Sequence, residues 1–405
     1  MAWVKNRVLL VLVGTGAAAA AGLAFLTQAP NRLVLGTGIS LAATIASSAG
    51  STRAWALVTI ALPALLLAAA VFVRPGRATH LWVVACATVL LAGWVSLAGI
   101  HAAQLASTAN ELAPGANPDI ARTSFGGAFW IVAVLSWLTA SDAIARLGLK
   151  PVSRLLANVA VVAPVLVCLA IGRLDQLSLL KEYAHRADAF GLALRQHIEI
   201  VAASVVPSLV IGIPLGIAST RASRWMNALR TPLFASLNVV QTIPSIALFA
   251  LLLAPLALLA EHVPMLGRLG IKGVGLAPAV IALTLYALLP IVRNTYTGIT
   301  GVDPAVQEAG RGMGMTDGQL LRLVELPLGL GVILAGVRVA TVVGVGTATI
   351  AAAIGAGGLG VYIFRGVATV DNTLILAGAL PAAVMALGAD GLLGLAERKL
   401  AWRGK

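Results

Sequence analysis

One stretch of the sequence has the spacing of a nucleotide-binding loop, because Gly355, Gly357 and Gly360 match the pattern G-x-G-x-x-G. Such a loop binds a dinucleotide only when a strand precedes it, a helix follows it and an acidic residue lies about twenty positions further on. Here an apolar run of helical length precedes the glycines, and Asp371 follows too early. We therefore interpret them as positions where a helix end bends and neighbouring segments approach closely.

Other patterns for catalysis or ligand binding are missing from the sequence. It contains no G-x-x-x-x-G-K-[ST] phosphate loop, no H-E-x-x-H and no C-x-x-C. The five histidines are scattered, and Cys86 and Cys168 lie in apolar runs, where packing is the usual role of cysteine. We expect a protein that is not an enzyme, with no catalytic residue, no metal site and no cofactor bound by this chain.

The polar segment 303–327 has the signals of an ordered structure. Asp303 can cap a first helix that ends near Gly312, and Thr316 can cap a second short helix that Pro327 is expected to end. The alternative is an ordinary connecting loop. Two helix caps are more order than a connection requires, so we predict a helix-turn-helix between two apolar runs.

The elements around this segment are apolar runs of membrane-spanning length. Hydrophobic residues make up 59% of the 405 residues and charged residues 11%, against about 25% charged in soluble domains. This composition excludes a soluble enzyme and predicts an all-α polytopic membrane protein of about ten transmembrane helices. No run shows the alternation of a β-strand. The runs lie at 8–26, 54–73, 81–101, 126–145, 155–172, 198–219, 232–258, 277–295, 328–352 and 373–395.

Two apolar stretches near the N-terminus have alternative interpretations. The run 8–26 resembles a secretion signal, but it is too long for one, so we expect an uncleaved first span. The stretch 33–50 is rich in Gly, Ser and Thr. We expect it to be external or interfacial, with a further span as the alternative.

The distribution of basic residues predicts the orientation. With the N-terminus inside, 17 of the 28 Lys and Arg residues fall in cytoplasmic segments and 10 in external ones. This bias favours a multi-pass protein of the cell (inner) membrane with both termini cytoplasmic. The net charge of +13 then indicates contact with anionic membrane lipid, and we expect no nucleic-acid partner.

The chain changes character near residue 196. We predict an N-terminal membrane extension of about five spans at 1–196 and a second domain at 197–405, whose runs are interrupted by proline, glycine and polar residues. Helix breakers are tolerated within a membrane where protein or a water-filled path satisfies the freed backbone groups. The second domain is therefore the expected functional part.

The segment 303–327 resembles the EAA loop of ABC-importer permeases, E-A-A-x3-G-x9-I-x-L-P. The spacing is fully kept; Gly310 replaces the second alanine and Val324 replaces the isoleucine. The matching positions assigned to ATPase coupling are Glu308, Ala309, Gly310, Gly314, Leu326 and Pro327.

Two further segments, 241–248 and 354–360, resemble the permeases of osmoprotectant importers for glycine betaine, choline and carnitine. The N-terminal half looks like the YehY-like branch of those permeases. The resemblance assigns to the solute pathway or its gate the residues Gln241, Thr242, Pro244, Gly355, Gly357 and Gly358.

The resemblance implies a fold and a set of partners. The C-terminal five spans would form a type I ABC-importer permease core, coupled through the loop 303–327 to a cytoplasmic ABC ATPase subunit that binds the ATP. A second permease subunit and an extracytoplasmic solute-binding protein would complete the importer. Because the chain ends about ten residues after its last apolar run, we expect the binding protein to be separate.

Other functions are also consistent with the composition. The solute could be an amino acid or a sulfonate, the protein could be an ATP-independent secondary transporter, or it could be a membrane-embedded enzyme. Secondary transporters place ionisable residues at mid-membrane, and here Arg338 and Asp390 are the candidates. We predict that these two form a buried charge pair; alternatively, Arg338 extends to the interface and Asp390 lines a wet crevice.

Overall fold

The computed structural model describes residues 4–30, 36–112, 121–221, 224–268 and 270–401. Within these ranges, nine helices are long and apolar enough to cross a membrane. They confirm the predicted all-α polytopic fold. The nine are Gly50–Ala70, Arg77–Ser107, Gly127–Arg146, Pro151–Ala170, Ala187–Thr220, Ser245–His262, Leu276–Thr300, Asp317–Ala348 and Asn372–Leu400.

The N-terminal segments differ in detail from the prediction. The run at 8–26 forms the helix Arg7–Gly22, whose 16 residues extend about 24 Å, less than the ~30 Å of a typical hydrocarbon core. The described part of 33–50 contains the helix Leu41–Ser47. Its seven residues are too few to span, in agreement with the external or interfacial interpretation.

Contacts within the chain divide it into an N-terminal unit, Met1–His185, and a C-terminal unit, Arg186–Lys405. This division lies before the boundary that the sequence predicts between residues 196 and 197. The predicted boundary falls inside the helix Ala187–Thr220.

The N-terminal unit is organised around one long helix, Arg77–Leu112, against which the helices Leu62–Ala70, Gly127–Arg146 and Pro151–Ala170 pack. A π-helical turn at Leu57–Ala61 joins α3 to α4 without ending the helix. The helices of this unit are α1 (Arg7–Gly22), α2 (Leu41–Ser47), α3 (Gly50–Ala56), α4 (Leu62–Ala70), α5 (Arg77–Leu112), α6 (Gly127–Arg146), α7 (Pro151–Ala170) and α8 (Ser178–His185).

A small antiparallel sheet, which the sequence does not predict, lies in the N-terminal unit. Its strands are β1 (Leu26–Ala29), β2 (Thr37–Ile39) and β3 (Arg122–Phe125), in the order β2-β1-β3. Leu26 pairs with Ile39 on one side and with Phe125 on the other. Strands of three and four residues are too short to show an alternating pattern.

The C-terminal unit is built around α13, which packs against α9 and α16; α16 in turn packs against α18. A 3₁₀ turn at Ile350–Ile354 follows α16. The helices of this unit are α9 (Ala187–Thr220), α10 (Arg224–Thr242), α11 (Ser245–His262), α12 (Pro264–Arg268), α13 (Leu276–Thr300), α14 (Pro304–Gly312), α15 (Asp317–Leu320), α16 (Leu326–Ala348), α17 (Gly360–Thr369) and α18 (Asn372–Ala401).

Glycines bring these helices close together. A Cβ at Gly216 of α9 would lie 2.5 Å from the Cβ of Thr295 on α13, and one at Gly212 would lie 2.8 Å from Ile291 Cγ2. On α16, a Cβ at Gly329 would lie 2.6 Å from the carbonyl oxygen of Gly298. No side chain fits at these three positions, so the glycines determine where the helices cross.

The run predicted at 232–258 is not one helix. It breaks between Thr242 and Ser245, the last residue of α10 and the first of α11. Pro244 lies at the break: it has no N–H to continue the helix, and its ring disfavours the helical conformation of the residue before it. The structure therefore corrects the predicted span to the segment Ser245–His262.

Candidate functional site

The loop between α13 and α16 forms the helix-turn-helix that the sequence predicts. The Oδ1 atom of Asp303 accepts a hydrogen bond of 2.9 Å from the backbone N–H of Ala305 and caps α14. At α15, the N–H of Thr316 donates to Gln319 Oε1 (2.8 Å), and the N–H of Gln319 donates to Thr316 Oγ1 (3.3 Å). This capping box fixes the start of the second helix.

Two glycines set the geometry of the turn. Gly314 has φ +84°, a left-handed conformation that glycine adopts at little cost. Gly310 is buried against α15: a Cβ there would lie 2.7 Å from Leu320 Cδ1, and Leu320 is fully buried. Glycine in place of the second alanine of the EAA pattern therefore lets α14 pack closely on Leu320.

The outer face of the loop is not covered by any part of the chain that the structure describes. Glu308 and Ala309 are exposed, and so are three large apolar side chains, Val306 (41%), Met313 (72%) and Leu323 (64%). Exposed apolar residues next to charged ones are typical of a protein-binding surface.

Pro327 does not end the second helix, contrary to the prediction. A π-helical turn at Leu321–Glu325 joins α15 to α16, and the helical segment Asp317–Ala348 is continuous. Leu326 and Pro327 begin α16 within this segment. The missing N–H of proline is tolerated next to a π turn, where the α-helical ladder is already interrupted.

An ion pair with a buried carboxylate lies beside this turn, and the sequence does not predict it. Arg221 Nη2 lies 2.7 Å from Glu325 Oε2; the Glu325 side chain is 3% exposed and that of Arg221 is 32% exposed. The pair joins the C-terminal end of α9 to the segment that connects the loop with α16. Glu325 occupies the x position of the pattern I-x-L-P. Its residue type gives no sequence signal for a partner 104 residues away.

A groove of about 540 Å³ lies in the C-terminal unit, lined by the α10–α11 break and by one face each of α13 and α16. Gln241, Thr242 and Pro244, three of the predicted pathway residues, line it. The α13 face follows helical spacing, and the α16 face consists mostly of small and apolar residues. From α13 these are Leu283, Tyr286, Ala287, Leu289, Pro290, Arg293 and Asn294; from α16 they are Val339, Ala340, Val343, Gly344 and Thr347.

Tyr286 of α13 holds the break between α10 and α11 in place. Its hydroxyl donates a hydrogen bond of 2.5 Å to the carbonyl oxygen of Ile243, and Gln241 Nε2 donates one of 2.9 Å to the carbonyl oxygen of Tyr286. The irregular backbone at the break is therefore satisfied by a neighbouring helix, as apolar surroundings require.

The predicted pathway glycines Gly355, Gly357 and Gly358 do not line this groove. All three have positive φ. Gly358 N–H donates to Gln196 Oε1 (3.2 Å) on α9, and a Cβ at Gly357 would lie 2.5 Å from the same oxygen. They form a tight connection between the 3₁₀ turn and α17 that packs on α9. The expected bend and close approach are present; the dinucleotide-binding context is not.

Arg338 on α16 lies between two carboxylates of α18. Its Nε is 3.5 Å from Asp390 Oδ1, and its Nη1 is 3.4 Å from Glu397 Oε2. The predicted burial is wrong within this chain, because Asp390 is 55% exposed and Arg338 33%. Glu397 is a partner that the sequence does not predict, although positions 390, 394 and 397 share one helical face. On that face, Gly394 leaves room for the guanidinium.

Among the described residues, no group of three or more His, Cys, Asp and Glu side chains could hold a metal ion. His197 is fully buried, and its Nε2 lies 3.1 Å from the carbonyl oxygen of Val345. This contact connects α9 with α16 and gives the histidine a packing role.

Two family profiles match the chain. The profile "ABC transporter permease YehY, N-terminal domain" matches residues 5–180. The profile "Binding-protein-dependent transport system inner membrane component" matches residues 212–402, which include the loop, the groove and the Arg338 cluster.

Characterised relatives match about half of the chain at more than 40% identity. The glycine betaine/carnitine/choline transport system permease protein OpuCB of Bacillus subtilis is 41% identical over 209 residues, covering 52% of this chain and 87% of that protein. The osmoprotectant import permease protein OsmW of Salmonella typhimurium is 44% identical over 198 residues, 49% of this chain and 85% of that protein. The carnitine transport permease protein OpuCD of Listeria monocytogenes is 45% identical over 209 residues (51% and 83%).

Helical fold, loop and sequence together define a multi-pass membrane permease. The chain belongs to the family of binding-protein-dependent ABC-importer permeases, within the group that contains the osmoprotectant permeases.

Proposed function

We propose that this chain is the permease subunit of an ATP-driven importer for osmoprotectants such as glycine betaine, and that it forms part of the solute pathway. The observation that carries the proposal is the 41–45% identity to osmoprotectant permeases over about half of the chain. The groove beside the α10–α11 break supports the proposal, because polar groups and a helix break line the same cavity in an otherwise apolar bundle.

The loop 303–327 is the proposed docking site of a cytoplasmic ATPase subunit, which binds the ATP in place of this chain. Exposed Val306, Met313 and Leu323 supply apolar contact area, and Glu308 supplies acceptors for a basic side chain of the partner. The continuous helix from Asp317 to Ala348 supports coupling, because a movement of the docked loop is passed directly to α16, a wall of the groove.

The remaining partners follow from the same proposal. A second permease subunit covers the open side of the groove, and Gln241, Thr242 and Pro244 line the pathway at its break. Gly355, Gly357 and Gly358 act as a hinge of the pathway, at the turn that leads from α16 to α17. A separate extracytoplasmic protein delivers the solute, and both termini of this chain are cytoplasmic.

Reconstitution tests the function. The chain, its ATPase and its binding protein are placed in liposomes, and uptake of radiolabelled glycine betaine, carnitine and choline is measured with and without ATP. We expect ATP-dependent uptake of at least one of these solutes. Uptake of an amino acid or a sulfonate alone contradicts the solute class, and uptake driven by an ion gradient without ATP contradicts the ATP-driven mechanism.

Labelling tests the orientation. Two variants are made from a chain in which serine replaces Cys86 and Cys168. One variant has a single cysteine at Gly318 and the other at Lys272, and both positions are exposed. A membrane-impermeant maleimide should label position 272 from outside the cell and position 318 only after lysis. Labelling of both from one side contradicts the proposed orientation.

A further inference from the structure

One full charge lies among the described residues that line the groove. Of the described residues that line it, Arg293 is the one ionisable at neutral pH, and none is Asp or Glu. Arg293 is exposed to the groove and forms no ion pair or hydrogen bond with any residue that the structure describes. The remaining polar lining residues are neutral amides and hydroxyls.

The position of Arg293 follows from helical spacing. Tyr286, Pro290 and Arg293 lie on one face of α13. The backbone of Arg293 follows that of Tyr286 by two turns, about 10.5 Å along the axis. The polar groups at the α10–α11 break are thus at the Tyr286 end, and the positive charge is towards the end of α13 that leads to the coupling loop.

This charge pattern suits one end of a zwitterion. A quaternary ammonium group binds in aromatic cages or next to carboxylates, and among the described lining residues Tyr286 is the single aromatic one. A carboxylate instead matches a guanidinium, which offers two parallel N–H donors. A cation without a carboxylate meets repulsion from Arg293 and no compensating partner.

We propose that Arg293 binds the carboxylate of the solute as it crosses the groove, so that this permease itself selects carboxylate-bearing quaternary amines over cations of the choline type. The proposal rests on the proposed function and adds to it a selection step in the permease. Selection by the binding protein alone is the competing explanation.

The experiment compares uptake of glycine betaine with uptake of choline in the reconstituted importer, each at a concentration that saturates the binding protein by calorimetry. The binding protein is the same in every assay, so a change in the ratio of the two rates belongs to the permease. For Arg293→Gln we expect the ratio of betaine to choline uptake to fall about tenfold, the effect of losing one charge-assisted hydrogen bond. Arg293→Lys keeps the charge and should give an intermediate ratio.

Two further variants make the test specific. Asn294→Asp puts a carboxylate next to Arg293 on the groove lining and should lower the ratio in the same direction, even if Arg293→Gln fails to assemble. Arg365→Gln removes an equivalent charge from exposed α17, outside the groove, and should leave the ratio unchanged.

The outcomes separate the two proposals. If the wild-type importer takes up none of the quaternary amines, the proposed function fails and this inference fails with it. If the wild type transports them and neither Arg293→Gln nor Asn294→Asp changes the ratio, the proposed function stands and the selection by Arg293 is wrong. An equal fall in Arg365→Gln also overturns it, because the effect is then one of overall charge.

Discussion

The aromatic cluster of the N-terminal unit and the glycine contacts of the C-terminal unit are two different ways to pack apolar helices. In the first, the rings of Phe25 and Trp94 meet edge to face at 4.7 Å, and those of Phe125 and Phe129 stack at 3.8 Å. Trp94 Nε1 also donates to the carbonyl oxygen of Phe129 (3.2 Å). Large rings that interdigitate in this way favour a single arrangement.

In the C-terminal unit, the central helix α13 crosses α9 and α16 at glycines, and irregular backbone lies around the groove and the loop. The α10–α11 break, the π turn before α16 and the turns at Gly314 and Gly355 are all in this unit. The N-terminal unit also has close glycine contacts, at Gly93 and Gly99 of α5, and a π turn at Leu57–Ala61. Smooth crossings allow packed helices to slide, and breaks allow them to bend. We therefore expect the moving parts of the permease to lie in the C-terminal unit, and four predictions test this expectation.

The largest effect is expected in the coupling loop. Glu308→Lys reverses the charge on its exposed face, and Gly314→Val puts a β-branched residue at φ +84°, which costs about 2 kcal/mol or more. Both should reduce ATP-dependent uptake to background, with the protein still inserted and abundant but its association with the ATPase impaired.

Gly388→Val, in α18 and outside the loop, is the matched control for the glycine substitution. Gly388 has open space around it and no positive φ, so uptake should remain near the wild-type rate. Normal uptake by Glu308→Lys and Gly314→Val at equal expression would remove the basis for calling this loop a coupling element.

The second prediction concerns the aromatic cluster. Trp94 is 1% exposed, and Trp94→Ala should lower the free energy of unfolding by about 3–5 kcal/mol. Trp82 lies on the same helix but is 52% exposed, so Trp82→Ala should cost much less. Thermal unfolding in lipid nanodiscs measures both.

Because no ring of this cluster lines the groove or the loop, uptake per folded molecule should be unchanged in Trp94→Ala. A specific loss of coupling at normal abundance would break the comparison, since the N-terminal unit would then take part in the movement.

The third prediction concerns the ion pair beside the π turn. Glu325→Gln removes the carboxylate from Arg221, whose side chain is 32% exposed, and should destabilise the protein by about 2 kcal/mol. The control is Glu199→Gln, which breaks the i,i+4 pair with Arg195 at 78% and 55% exposure, worth about 0.5 kcal/mol or less.

The charge-swapped double variant Arg221→Glu with Glu325→Arg should recover part of the stability. If Glu325→Gln and Glu199→Gln have equal melting temperatures, the pair does not anchor the segment that leads into α16.

The sequence predicts the local elements well, because their signals are local. The caps of α14 and α15 are predicted from residues within four positions of each other: Asp303 for the first, Thr316 and Gln319 for the second. Hydropathy predicts the spans. The helix break at Pro244 is not located by hydropathy, because the apolar run continues on both sides of the proline.

What the sequence does not predict depends on distant partners. The sheet pairs β1 with β3 across almost one hundred residues, and the Arg221–Glu325 pair joins two helices far apart in the chain. The contact between Gln241 and Tyr286 also joins two helices and is not predicted by local sequence. The groove could be only half predicted: the resemblance indicates Gln241 and Pro244, whereas Arg293 becomes a site residue once α13 is seen to turn that face towards them.

The smallest effect is expected at the Arg338 cluster, where both ion contacts are longer than 3.3 Å. Asp390 is 55% exposed and Glu397 26%, so Glu397 is less exposed to competing surroundings. A double-mutant cycle should therefore give a coupling of about 1 kcal/mol for Arg338 with Glu397 and a few tenths for Arg338 with Asp390. The variants are Arg338→Gln, Asp390→Asn and Glu397→Gln, alone and in pairs, measured by thermal unfolding in nanodiscs. The reverse order of couplings would show that the surroundings of α18, and not its own packing, decide which carboxylate holds the guanidinium.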